Sequence, residues 1–117
     1  MTIDEMTESE PADAFAVAAF EGEDLIAVGL VGPEGEPGQW RVRGMATAPE
    51  ARGRGAGSAV LAALLDHARS QGGREAWASV RTPAQSLYER AGFRVDSDVY
   101  EVPRIGPHVL MRLRLRV

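Results

Sequence analysis

The sequence predicts one α/β (α+β) domain, and three observations carry that prediction. Two apolar segments, AFAVAAF at 14–20 and LIAVGLV at 25–31, are separated only by EGED, a hairpin-like loop containing glycine. A glycine-rich stretch, ARGRGAGSAV at 51–60, opens directly into aliphatic residues at helical spacing. At the end of the chain Leu113, Leu115 and Val117 alternate with Arg112, Arg114 and Arg116, the pattern of a strand with one covered and one wet face. A chain of 117 residues suffices for one core and not for two.

Taken in order, residues 1–12 are acidic, lack periodicity and contain Pro11, so they are expected to form a flexible segment before a domain spanning 13–117. The two apolar strands follow, then GPEGEPG as a solvated loop. QWRVRGMAT at 39–47 reads as a third strand whose Gly44 marks a bulge or a close backbone approach. Val60, Leu61, Leu64, Leu65 and Ala68 define the buried face of a helix that Gly72 and Gly73 end. EAWASV at 75–80 reads as a buried strand, reached through that helix and therefore parallel to the third. In TPAQSLYERAGF at 82–93, Thr82 is placed to cap a short helix, Pro83 suits its first position and Gln85 completes a capping box. Gly92 and Phe93 suit its C-terminal turn. Two strands, about 94–102 and 109–117, joined by PRIGPH, complete the chain, and the last is expected to lie exposed, where it can pair with a second subunit as a homodimer.

Composition removes several functions. The longest apolar run, 14–20, is far short of a membrane span and no basic N-terminal region precedes it, so a cytoplasmic location without membrane contact is expected. Cysteine is absent, which excludes disulfides, thiolate metal sites and a cysteine nucleophile, and no metal is expected. All thirteen basic residues are arginine, which excludes a Schiff-base lysine and the lysine of a Walker loop. The net charge of −4 is divided unevenly: residues 1–36 carry ten acids and no base, while 37–117 carry seven acids and thirteen arginines, giving −10 and +6. The basic part favours an anionic ligand, and the overall sign argues against nucleic-acid binding.

The order strand, glycine-rich loop, helix points backbone amides at an anion, assisted by the positive end of the helix dipole. Arg52 and Arg54 add charge, so the candidate ligand is a phosphate, best a pyrophosphate. A dinucleotide fingerprint would need a third glycine at Ser58. What fits is Arg52-x-x-Gly55-x-Gly57, which resembles the Q/R-x-x-G-x-G/A signature of the GNAT acyltransferases. MATAPEARGRGAG also resembles the end of that family's fourth strand and the loop after it, AQSLYERAGF resembles its later helix, and IGPHVLMRL its last hairpin; together they cover about 14–117.

The resemblance implies a GNAT-like mixed, mostly antiparallel twisted sheet with splayed central strands and flanking helices. It implies an N-acetyltransferase that moves an acetyl group from acetyl-CoA by direct attack of a small-molecule or peptide amine. By position, backbone groups of Met45, Ala46 and Thr47 would contact the pantetheine arm. Arg52, Gly53, Arg54, Gly55, Ala56, Gly57 and Ser58 would hold the pyrophosphate, and Tyr88 would protonate the departing thiolate. Unperturbed thiols and phenols titrate at about 8.5 and about 10, a pairing compatible with that role.

Two departures stand out. Arg81 occupies the position where many members carry asparagine, seven residues before the tyrosine, and the strand and helices that usually wall the acceptor site are replaced by the acidic segment. The second departure motivates an alternative, a non-catalytic coenzyme A binding module that regulates or assembles with a partner. Among other polar residues, Arg41 and Arg43 are expected to face water, with a carboxylate or a phosphate as the alternative partner, His67 to suit a helix C-terminus, and His108 to be solvated in a loop or act as a base. Asp96, Asp98 and Glu101 are expected either to attract a cationic acceptor or to form a solvated strand edge.

Overall fold

The computed structural model describes residues 1–6 and 14–116. The elements are β1 (Thr2–Met6), β2 (Phe15–Glu21), β3 (Asp24–Pro33), β4 (Gln39–Thr47), a 3-10 turn (Pro49–Ala51) and α1 (Ala56–Ser70). They continue with β5 (Glu75–Arg81), a second 3-10 turn (Thr82–Ala84), α2 (Gln85–Arg90), β6 (Arg94–Val95), β7 (Tyr100–Val102) and β8 (Gly106–Arg114). Eight strands form one sheet in the order β1-β2-β3-β4-β5-β8-β6, with β7 also on β8. Among the described strands, only β4 and β5 pair in parallel. That pair is joined through α1, as a crossover connection requires.

α1 buries the predicted face, Val60, Leu61, Leu64, Leu65 and Ala68, against β2, β3 and β4. Each valine or leucine so buried contributes about 1.5–3 kcal/mol. Gly29 on β3 lets the helix settle closely, since a Cβ there would stand 2.9 Å from Leu64 and 3.1 Å from Val60. The helix ends at Ser70 and the chain turns away at Gly72, whose φ is +84°, where the N–H of Gly73 donates to the carbonyl of Ala68 at 2.8 Å. α2 ends the same way: Gly92 has φ +103°, and the N–H of Phe93 donates to Tyr88 O at 3.0 Å. Tyr88 and Phe93 belong to the same cluster as α1 and the inward residues Ala76, Ala78, Val80, Val109 and Met111. Both helices therefore cover one face of the sheet. Among the described residues no helix covers the other face, and none is long and apolar enough to cross a membrane.

Four expectations are corrected. Residues 1–12 were expected to lie outside the domain, yet Thr2–Met6 pairs with β2 from Thr2↔Phe20 to Met6↔Ala16. Backbone pairing supports this strand, and residues 1–5 are all exposed, so no buried apolar face marks it in the sequence. The rest of that segment, the boundary at 12–13 and Val117 lie outside the described residues. The capping box does not form: Thr82 opens a 3-10 turn, and α2 starts after Ala84 with no side-chain cap. The strand expected over 94–102 is divided into β6 and β7, because Ser97 Oγ takes the hydrogen bond from the Leu110 N–H at 2.8 Å that a ladder carbonyl would take. Finally, β8 is not an exposed last strand, since β5 flanks it on one side and β6 and β7 on the other.

Candidate functional site

After β4 the chain turns at Pro49–Ala51 and runs through Arg52–Gly55 into α1. Gly53 and Gly55 both have φ +83°, and no atom lies within 4 Å of the position a Cβ would take at either. Glycine is needed there for the left-handed backbone, and the space in front of the loop is open. Gly57 is different. A Cβ on it would stand 3.0 Å from Thr47 Oγ1 and 3.7 Å from Leu87, so here glycine permits close packing of the helix on β4 and α2. No side chain caps α1, and the N–H groups from Gly53 to Ser58 meet no backbone acceptor among the described residues. These donors, at the mouth of a fifteen-residue helix and with exposed Arg52 and Arg54 beside them, form a surface suited to a diphosphate.

The loop adjoins a fork in the sheet. β4 and β5 pair only at Gln39↔Glu75, Trp40↔Ala76 and Arg41↔Trp77. Beyond that the strands separate, and Met45, Ala46 and Thr47 lie on the edge of β4 with no strand toward β5. The register with β3 passes from Leu30↔Arg43 to Val28↔Ala46, so β4 holds one extra residue there. Gly44, with φ +65°, marks this bulge, as its place in the sequence suggested. Met45 turns beneath β3 toward Gly29, Ala46 is exposed, and the Thr47 hydroxyl lies beside Gly57.

Tyr88 is 5% exposed and packs edge-to-face on Phe93, with ring centroids 5.3 Å apart. Burial pushes its phenol up to about 12, so it keeps its proton across the neutral range. The hydroxyl has no hydrogen-bond partner among the described residues and is not sealed from solvent. Its neighbour Leu87 lies against Gly57, which brings the two sequence motifs together.

Other residues take structural places. Arg41 donates to Glu34 Oε2 at 2.8 Å, Arg43 pairs with Glu34 Oε1, and the Trp77 indole donates to Glu34 O at 2.9 Å. The Arg41 guanidinium also lies 4.8 Å from the Trp77 ring. The hydrogen bond from Arg41, with the charges of both arginines, holds the Glu34 carboxyl below its usual range. These arginines therefore pair with Glu34, a half-exposed carboxylate of the same chain, which is the carboxylate alternative rather than the expected solvated pair. His67 stacks on Phe15 at 3.7 Å, which makes it a packing residue. Asp96 binds Arg112 at 2.6 Å, and Arg81 is exposed at the end of β5. His108 lies in β8 and is buried, not in a solvated loop. Glu34, Ser79 and Tyr100 carried no signal in the sequence, because each comes from a different element and no spacing links them.

A forked parallel pair beside a glycine loop at a helix mouth defines the acyltransferase class of fold that the motifs resemble. The comparisons agree: the chain belongs to the Acetyltransferase (GNAT) family, whose model matches residues 2–93, and it is accordingly an acyltransferase. It is 25% identical over 114 residues to the uncharacterized N-acetyltransferase YitI of Bacillus subtilis, covering 93% of this chain and 76% of that one. A GNAT-family protein from Desulfovibrio desulfuricans superposes with a TM-score of 0.75 at 28% identity, covering 89% of this chain and 70% of the other. An aminoglycoside 6'-N-acetyltransferase complexed with coenzyme A shares the fold, with a TM-score of 0.76 at 15% identity over 92% of this chain and 76% of its own.

Proposed function

We propose that the protein transfers an acetyl group from acetyl-CoA directly to the amine of a small molecule or peptide. The observation that carries this reading is the fork itself: β4 and β5 part after Arg41↔Trp77, and the gap ends at a loop whose amides meet no backbone acceptor among the described residues. The amides of Gly53–Ser58, with Arg52 and Arg54, suit the diphosphate of the coenzyme. The free edge of Met45, Ala46 and Thr47 suits its amide-bearing arm, which can pair with β4 as an added strand. When bound, acetyl-CoA supplies a thioester carbonyl open to attack by a neutral amine.

The chain's own residues then have limited tasks. The bulge at Gly44 leaves Gly44 and Met45 out of register with β3, making a main-chain N–H available to an oxyanion in the gap. Tyr88, protonated at neutral pH, serves as hydrogen-bond and proton donor to the departing sulfur. Absence of cysteine fits direct transfer without an acyl-enzyme. Free-thiol release from acetyl-CoA with a panel of amines tests the reading. Amine-dependent turnover is expected, and acetyl-CoA binding without acetylation of any amine would favour the non-catalytic module instead.

A further inference from the structure

On the face of the sheet away from the helices, three side chains from three strands meet beside the open end of the fork. Ser79 lies on β5, two residues past Trp77, the last residue paired with β4. Tyr100 on β7 stands in register with His108 on β8, their rings stacked with centroids 6.1 Å apart. The Tyr100 hydroxyl reaches across β8 to Ser79 Oγ at 2.5 Å. His108 is paired with Arg81, the last residue of β5, and is only 6% exposed.

The bonding fixes the tautomer. His108 Nδ1 lies 2.9 Å from Gly106 O. A carbonyl oxygen only accepts, so Nδ1 carries the hydrogen and Nε2 holds the lone pair of the neutral ring. Nε2 has no hydrogen-bond partner among the described residues, and it is not sealed from solvent. The stack on Tyr100, itself anchored to Ser79, restrains the ring. β8 lies one strand spacing, about 4.8 Å, from β5. An imidazole there is within reach of an amine approaching a carbonyl held in the fork.

We infer that His108 is the base that deprotonates the acceptor amine, with Tyr100 and Ser79 as positioning residues; this rests on the reading under Proposed function. Nε2 takes one proton from the acceptor ammonium. The freed nitrogen pair forms the N–C bond, the C–S bond breaks and its pair stays on sulfur. Sulfur takes a proton from Tyr88, and the nitrogen releases its second proton to water as the amide forms. Water restores the phenol and takes the proton from the imidazolium, so the products are an amide, a thiol and one proton. The charged or titratable groups in register with the ring are Arg81 from β5 and Tyr100 from β7, and no carboxylate among the described residues is bonded to it.

The test compares the parent with His108→Gln and Tyr100→Phe, measuring thiol release from acetyl-CoA with the panel of amines from about pH 6 to about pH 9. Calorimetry follows acetyl-CoA binding, circular dichroism follows the fold, and His108→Asn replaces the first variant if that fails to fold. His108→Gln is expected to lower kcat about a hundredfold with acetyl-CoA affinity unchanged. Its deficit is expected to shrink as pH rises, because more amine is already neutral, and added imidazole is expected to restore part of the rate. Tyr100→Phe is expected to lose about three- to tenfold, the effect of one hydrogen bond, and to keep the parent's pH profile. A pH-independent loss without imidazole rescue, or no loss, overturns the assignment. A parent that binds acetyl-CoA and acetylates no amine also overturns it, whereas a parent that binds no acetyl-CoA overturns the underlying reading.

Discussion

The two walls of the fork are built from different material. The β4 wall and the loop beyond it offer main chain: a bulge at Gly44, amides from Gly53 to Ser58 without a backbone acceptor among the described residues, and glycines held at positive φ. The β5 wall, with α2 and the strands beside it, offers side chains: buried Tyr88, Ser79 bonded to Tyr100, and His108 with Nε2 unpartnered among the described residues. The first wall suits a ligand recognised by its backbone-like arm and diphosphate. The second suits proton transfer, which main-chain amides cannot perform. Substitutions should therefore separate into those that change coenzyme affinity and those that change turnover.

The largest effect on the first wall is expected at Gly57. In Gly57→Leu the new side chain starts 3.0 Å from Thr47 Oγ1 and presses on Leu87, forcing α1 away from β4. Calorimetry should show acetyl-CoA affinity falling about a hundredfold, equivalent to about 2–3 kcal/mol. Ser58→Ala, at an exposed position in the same turn, should bind like the parent.

On the second wall, Tyr88→Phe should lower kcat by about tenfold to a hundredfold with little change in acetyl-CoA affinity. It also has a stability signature. The Tyr88 phenol is raised to about 12, whereas an unfolded tyrosine titrates at about 10. The parent's full stability is thus present below about pH 10 and is progressively lost as pH rises toward about 12, by about 2–3 kcal/mol. Tyr88→Phe lacks this loss. Urea unfolding at about pH 9 and about pH 12 should show the parent declining more than the variant, and parallel declines would break the account of Tyr88 as a buried neutral phenol.

Smaller effects should follow at the loop. Gly53→Ala has open space for its methyl group and bears only the cost of φ +83°, about 1–2 kcal/mol, so coenzyme affinity should fall about tenfold with kcat retained. Arg54→Ala removes one exposed charge; a loss of about twofold to fivefold that disappears at high salt is expected in the same titration.

This division also explains what could be read in the sequence. The main-chain wall was legible because backbone geometry restricts residue type: Gly44, Gly53, Gly55 and Gly57 occupy positions where other residues strain or clash. The helix face of α1 was legible from its period, and both glycine helix ends from their spacing. The side-chain wall was not, because Ser79, Tyr100 and His108 meet through strand register across β5, β7 and β8, which no local pattern encodes. β1 escaped for a related reason, since a strand known by its pairing, with residues 1–5 all exposed, carries no clear apolar alternation. The division of β6 from β7 turned on one hydroxyl, Ser97, replacing one ladder carbonyl.

The most direct measurement is a crystal structure of the chain with acetyl-CoA bound. The account predicts the diphosphate within hydrogen-bond distance of the amides of Gly53–Ser58 and the arm lying along Met45–Thr47 between β4 and β5. A coenzyme seated away from that loop, or one that leaves the fork vacant, would contradict it.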